Sequence, residues 1–147
     1  MPRDLQYLLD RTDITDLLIE YATTIDTRNF PALNHIFTPD AIIDYTATGG
    51  PRCTLTQAKT FLTEALPQFP RSQHLIANIN IKLQGNTATA RTMCHNPMVK
   101  QHPDGNEQVM FFGIWYDNTL IRTNDGWRIN RLSQELCYTH NTTQKET

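Results

Sequence analysis

No apolar run in this 147-residue chain approaches the roughly 20 residues of a membrane-spanning helix. No basic stripe is present either. Lysine and arginine total 13 against 15 acidic residues, for a net charge of −2. Nucleic acid is therefore not an expected partner. No Lys/Arg cluster flanks an apolar stretch, so no membrane association is expected. The opening Met1-Pro2-Arg3-Asp4 lacks the basic region and apolar run of a signal peptide, and a cytoplasmic location is the expectation. Cysteine is sparse: Cys53, Cys94 and Cys137 are odd in number and widely spaced. They make neither a disulfide framework nor a CxxC metal pattern, and buried thiols are expected. His35, His74, His95, His102 and His140 show no HxH or HExxH spacing, so no metal site is expected. Gly49-Gly50 sits before Pro51 and forms no phosphate loop or dinucleotide fingerprint. The sequence thus implies no cofactor.

What is present is ordinary globular composition, 39% hydrophobic and 19% charged. A chain this long buries roughly two thirds of its unfolded surface. We expect one domain over residues 1–138 and a polar, mobile tail over 139–147.

The first third is patterned as helix. Leu5, Leu8, Leu9, Ile14, Leu17, Leu18, Tyr21, Ala22 and Ile25 recur at three and four residues. Thr12 or Asp13 is placed to start a second helical segment. A short helix fits Pro31 to Phe37, and Thr38-Pro39-Asp40 reads as a breaker. Ala41 to Ala47 reads as a strand, and Leu55 to Leu66 as a helix ended by Pro67 and Pro70. The second half is strand-like: Ser72 to Leu83, Thr87 to Val99, Val109 to Arg122 and Trp127 to Tyr138. Gly85-Asn86 and Asn124-Asp125-Gly126 supply turns. Helices followed by long antiparallel strands make an α+β fold, a curved sheet wrapped on helices. Val109, Phe111 and Trp115 alternate with Met110, Phe112, Ile114 and Tyr116. Both faces of that strand are apolar, and two apolar faces need two covers. The helices supply one, and a second copy of the chain is the expected other.

Asp26 lies at the end of the first helix, where the dipole favours cations, so it breaks a local rule. His74 falls on the more polar face of its strand, with Ile76, Asn78 and Asn80. To face a cavity it needs either a polar cavity mouth or a bulge that re-aims it. His95 and Asn96 are neighbours on one strand and face opposite ways, so one of them reaches a cavity. Trp115, Phe111, Phe112, Met93 and Met98 are candidates for an apolar pocket wall.

The segment Asp13-Ile14-Thr15-Asp16-Leu17-Leu18-Ile19-Glu20-Tyr21-Ala22 leads into Ile25-Asp26. Next come His35-Ile36-Phe37-Thr38-Pro39-Asp40-Ala41, Gln73-His74-Leu75-Ile76-Ala77-Asn78 and Gly126-Trp127-Arg128-Ile129. Together these resemble the SnoaL-like branch of the nuclear transport factor 2-like superfamily, from about Leu5 to Tyr138. The resemblance implies a cone-shaped, cystatin-like α+β barrel and favours a trimer over a dimer. A dehydrochlorinase and a bile-acid dehydratase of this branch carry a polar residue five positions before an Asp and a His 48 positions after it. Tyr21, Asp26 and His74 keep both spacings. In those relatives the His is the base and the Asp orients it. Arg131 roughly matches an Arg of the dehydrochlorinase. His95 or Asn96 stands near a second Asp of the dehydratase.

The implied activity is a cofactor-free lyase or isomerase, dehydratase-like. His74 would take a proton from a small hydrophobic or polycyclic molecule, Asp26 would hold His74, and Tyr21 would donate a hydrogen bond. Tyr45, His95, Asn96, Trp115, Phe112 and Arg131 would line the substrate site. The alternatives are a non-catalytic small-molecule binder and an oligomeric assembly module.

Overall fold

The computed structural model describes residues 2–143. Its first element is one unbroken helix, α1 (Leu5–Asp26). Asp4 caps it by accepting from the Tyr7 N–H, so the helix starts there and not at Thr12 or Asp13. The Thr12 hydroxyl bonds back to the Leu8 carbonyl, which lets it sit mid-helix. Ile14, Leu17, Leu18, Tyr21, Ala22 and Ile25 are buried as the spacing requires. Leu5, Leu8 and Leu9 are exposed, at 71%, 54% and 48%. The periodicity is right there, but no element reaches far enough to cover the first turns.

A 3-10 turn (Phe30–His35) carries the chain into β1 (Phe37–Asp44). The strand begins earlier than expected and includes Thr38-Pro39-Asp40. The register with its neighbour shifts between Phe37 and Ile42. Pro39 falls in that irregular stretch, where a missing N–H breaks no ladder bond. A short β2 (Arg52–Thr54) pairs back on β1, and then α2 (Leu55–Ala65) begins. Thr54 and Gln57 form a reciprocal capping box at its start.

The rest is sheet: β3 (Arg71–Ser72), β4 (Leu75–Gln84), β5 (Thr87–Gln101), β6 (Glu107–Thr123) and β7 (Gly126–His140). Gly85 takes the left-handed backbone (φ 61°) that the β4–β5 hairpin turn needs. The strand order is β2-β1-β7-β6-β5, with β3 and β4 both pairing β5. The sheet is mixed and unclosed. β1 and β7 run parallel, whereas an all-antiparallel sheet was expected. They are joined through most of the chain, so no tight turn dictates their direction.

The inner face of the sheet packs on α1, with Ile43, Cys94, Ile114, Leu120, Ile129 and Leu132 in the core. Burying a side chain of this size is worth about 2 kcal/mol. Val109 and Met93 lie on the outer face, 39% and 38% exposed. β7 continues to His140, two residues beyond Tyr138, where the polar tail was expected to begin. Gln108 then holds the carbonyls of Asn141 and Thr143. The last four residues lie outside the described part of the chain. Cys53 and Cys94 are buried as expected, but Cys137 is exposed.

Candidate active site

Asp26 is the last residue of α1, and His74 lies in the gap between β3 and β4. The strand expected over Ser72 to Leu83 is broken at this gap, which frees the His74 backbone N–H from the ladder. That N–H donates to Asp26 Oδ2 at 2.8 Å, and the ring Nδ1 contacts Asp26 Oδ1 at 2.6 Å. A second device aims the imidazole inward. Ala77 pairs Met93 while Asn80 pairs Arg91, so β4 carries one extra residue, with Asn78 at φ 47°. One inserted residue reverses the alternation of a strand. His74 and Ile76 on one side of the bulge therefore share the inner face with Ile79, Ile81 and Leu83 on the other.

Asp26 accepts a third bond, from Ser72 Oγ at 2.8 Å. Ser72 Oγ in turn accepts from Arg28 Nη1 at 3.0 Å, which commits the hydroxyl hydrogen to Asp26. Arg28 also donates to the Ile25 and Phe69 carbonyls. Those bonds hold it in a left-handed conformation, φ 60°, that a non-glycine residue seldom adopts. Burial pushes the Asp26 carboxyl up in pKa. The His74 and Ser72 hydrogen bonds and the His74 charge outweigh it, and the carboxyl ends below its ordinary value. The His74 side chain is 6% exposed and that of Asp26 23%. A carboxylate only accepts, so Nδ1 carries a hydrogen, and in the neutral form of the ring Nε2 holds the lone pair.

His74 forms part of the wall of a cavity of about 400 Å³. This is near the lower end of pockets that take small organic molecules, roughly 300–1,000 Å³. Ile25, Phe61, Leu62, Met98, Phe112 and Ile114 give it an apolar lining. The polar groups in the wall include Tyr21, Tyr45, Asn96, Tyr116 and Gln134. Among the described residues no Lys, Arg, Asp or Glu lines it. The Tyr21 and Tyr45 hydroxyls lie 2.8 Å apart. Burial pushes both phenols up in pKa, so both stay protonated. One O–H is used between them, and the second hydrogen is left to donate elsewhere. Tyr116 and Tyr21 pack edge to face, ring centroids 5.8 Å apart.

Of the expected site residues, the structure brings Tyr21, Tyr45, His74, Asn96 and Phe112 to this cavity, with Asp26 behind His74. It does not bring His95, Trp115 or Arg131 there. His95 faces outward, bonded to the Tyr138 hydroxyl at 2.6 Å and stacked on Phe111, because its neighbour Asn96 takes the inner face. Trp115 is Met93's cross-strand partner on the outer face, with the Arg91 guanidinium 4.4 Å over its ring. Arg131 is exposed on β7, beside Ser133 and Thr119. Met93 and Phe111 also face outward, and Met98 faces inward. Arg28, Ser72, Tyr116 and Gln134 were not singled out from sequence. Tyr116 was open to discovery, since it alternates in phase with Phe112 and Ile114. The bonds from Arg28 to Ser72 and Phe69 and from Ser72 to Asp26 span more than 40 residues, and no local pattern announces them.

A family model described as a SnoaL-like domain matches residues 6–133. An uncharacterized protein of Mycobacterium tuberculosis is 42% identical over 129 residues, 88% of this chain and 86% of its own length. A crystal structure from Kribbella flavida superposes with a TM-score of 0.83 at 25% identity, covering 92% of this chain and 95% of that one. The hexachlorocyclohexane dehydrochlorinase of Novosphingobium barchaimii gives 0.80 at 18% identity, with 98% and 97% covered. An NTF2-like protein with a cystatin-like fold from Novosphingobium aromaticivorans gives 0.72 at 23%, with 90% and 84% covered. The fold is therefore the NTF2-like α+β fold, and the chain belongs to the SnoaL-like domain family.

Proposed function

We propose that this protein is a cofactor-independent lyase or isomerase that removes a proton from carbon in a small hydrophobic molecule. The observation that supports this most directly is the 2.6 Å contact between His74 Nδ1 and Asp26 Oδ1 at the wall of an apolar cavity. A neutral imidazole suits the task because its ordinary pKa lies near neutral pH. Nε2 takes the proton, and the C–H electron pair moves into the substrate. Asp26 stabilises the imidazolium across Nδ1–H. The free O–H of the Tyr21–Tyr45 pair faces negative charge that develops on a substrate oxygen. The imidazolium then returns its proton to a leaving group or to another carbon. The dehydrochlorinase among the structural neighbours is an eliminating enzyme of this fold, which agrees with the reading.

The test needs no known substrate. Uncharged ketones such as 2-tetralone are incubated with the protein in D₂O, and loss of the α-proton signal is followed by NMR. His74→Gln is expected to slow the exchange by about 10²–10⁴-fold. A panel in which wild type and variant exchange at the same rate leaves a ligand binder and removes the enzyme.

The exposed Leu75, Met93, Val109 and Tyr138 of the outer face support a second copy of the chain as its cover, in the trimer that the resemblance implies. Sedimentation at micromolar concentration is expected to give the mass of a trimer, and Val109→Lys that of a monomer.

A further inference from the structure

The geometry points to Asn96 as the residue that selects the ligand, by requiring an uncharged molecule with a hydrogen-bond donor such as a hydroxyl. This rests on the cavity being the ligand site, as proposed above.

Asn96 is 5% exposed and forms part of the cavity wall. Its amide oxygen is fully buried and has no hydrogen-bond partner among the described residues. Buried polar atoms are almost always paired, and an unpaired one weakens the fold. Two others share this state, Thr38 Oγ1 and Asn118 Oδ1, but neither residue lines this cavity. Of the three, Asn96 is therefore the one whose amide lies at the cavity wall, where a turn about its last side-chain bond presents the oxygen to a bound molecule.

Its position gives the contact meaning. Ser72 pairs Met98, the Gln73 N–H bonds the Pro97 carbonyl, and Leu75 pairs His95. The register is continuous, so His74 stands directly across from Asn96. Side chains opposed in this way start about 5 Å apart. A donor held by Asn96 thus sits on the ligand close to the atom that faces the imidazole. With His74 neutral, as the base must be, the wall has phenols and amides but no cation to balance an anion, and burying an unpaired charge is very unfavourable. A carboxylate or phosphate is therefore excluded from the interior.

The experiment compares 2-naphthol, which donates, with 2-methoxynaphthalene, which does not. Dissociation constants are measured by calorimetry for wild type, Asn96→Leu and His74→Leu. In wild type, 2-naphthol is expected to bind about tenfold more tightly, since an unmet buried acceptor disfavours the methyl ether. Asn96→Leu is expected to erase that preference. It should also raise the Tm by about 2–4 °C, because it removes an unpaired polar group at similar volume. A more stable protein with lost discrimination is not a damaged one. Asn96→Ala, which also removes the acceptor oxygen, is expected to lose the preference and serves if the leucine variant fails to fold. A preference that survives Asn96→Leu but disappears in His74→Leu places the donor on the imidazole and overturns the inference. Equal binding of the two probes by wild type overturns it too. Neither outcome touches the proton-exchange result for His74→Gln, so the two readings fail separately.

Discussion

Asp26→Asn is expected to slow carbon-proton exchange by about 10³–10⁴-fold while leaving the fold in place. The cause is the way the carboxylate is shared. Oδ2 accepts the His74 backbone N–H, and Oδ1 accepts His74 Nδ1–H and the Ser72 hydroxyl. An asparagine has the same shape but only one oxygen. The backbone N–H of His74 can only donate, so it claims that oxygen. The amide NH₂ then faces Nδ1, which must become an acceptor. The ring hydrogen moves to Nε2, and the base has no lone pair for the substrate. Ser72 also loses the acceptor of its hydroxyl hydrogen, because the amide NH₂ now stands where Oδ1 was. Nitrogen NMR of the imidazole reads the tautomer directly. An Asp26→Asn protein that keeps Nδ1–H and full exchange rate contradicts this account. The lowered Asp26 pKa adds a sign for stability. Its contribution is present above the unfolded carboxylate pKa, near 4, and fades as pH falls below it.

The largest stability effect is expected at Asp10. This carboxylate is 1% exposed, yet it carries a full set of partners. Arg122 grips both oxygens, at 2.8 and 2.7 Å. Trp127 Nε1 donates at 3.1 Å and Gln6 Nε2 at 3.0 Å. The Arg122 hydrogen bonds prevail over burial and hold the pKa at about 2 against an ordinary 3.8. The native state thus binds this proton more weakly than the unfolded chain. The sign follows: the contribution is complete above about pH 4 and is lost as pH falls towards 2, a change of about 2 kcal/mol. Asp10→Asn leaves Arg122 without its counter-charge and is expected to destabilise by about 3 kcal/mol at pH 7. For a domain of this size that lowers the Tm by about 6–12 °C. The gap between variant and wild type should narrow between pH 4 and pH 2. A gap that stays constant through that window would show that the ion pair is not its source. The cluster ties α1 to β6 and β7 about 24 Å along the helix from Asp26. It therefore anchors the element that carries the carboxylate of the site.

Asp10 also shows how sequence and structure divide the information. It falls in phase with Ile14, Leu17 and Tyr21, so a charge on the buried stripe was visible. Its partners were not, since Arg122 and Trp127 lie more than 100 residues away. The same division runs through the site. Strict alternation sends His74 to the face opposite Ile79, Ile81 and Leu83. The bulge between Ala77 and Asn80 reverses that assignment, and nothing in Ala77-Asn78-Ile79 announces it. His95 and Asn96 were known to point apart, but which one met the cavity depended on which face of the sheet α1 covers. Trp115 was misplaced by the same uncertainty, because β6 is apolar on both faces.

By itself, the amino-acid order determined the helices, the turns and the run of long strands, because these follow from periodicity, capping and glycine or proline over a few residues. It also carried the Tyr21, Asp26 and His74 spacings on which the family resemblance rests. Tertiary structure alone decided which side of each strand is inside, the parallel pairing of β1 with β7, and the joining of Asp26 to His74 through Ser72 and Arg28. Those features are contacts between residues tens of positions apart, and one inserted residue in a strand is enough to reverse them.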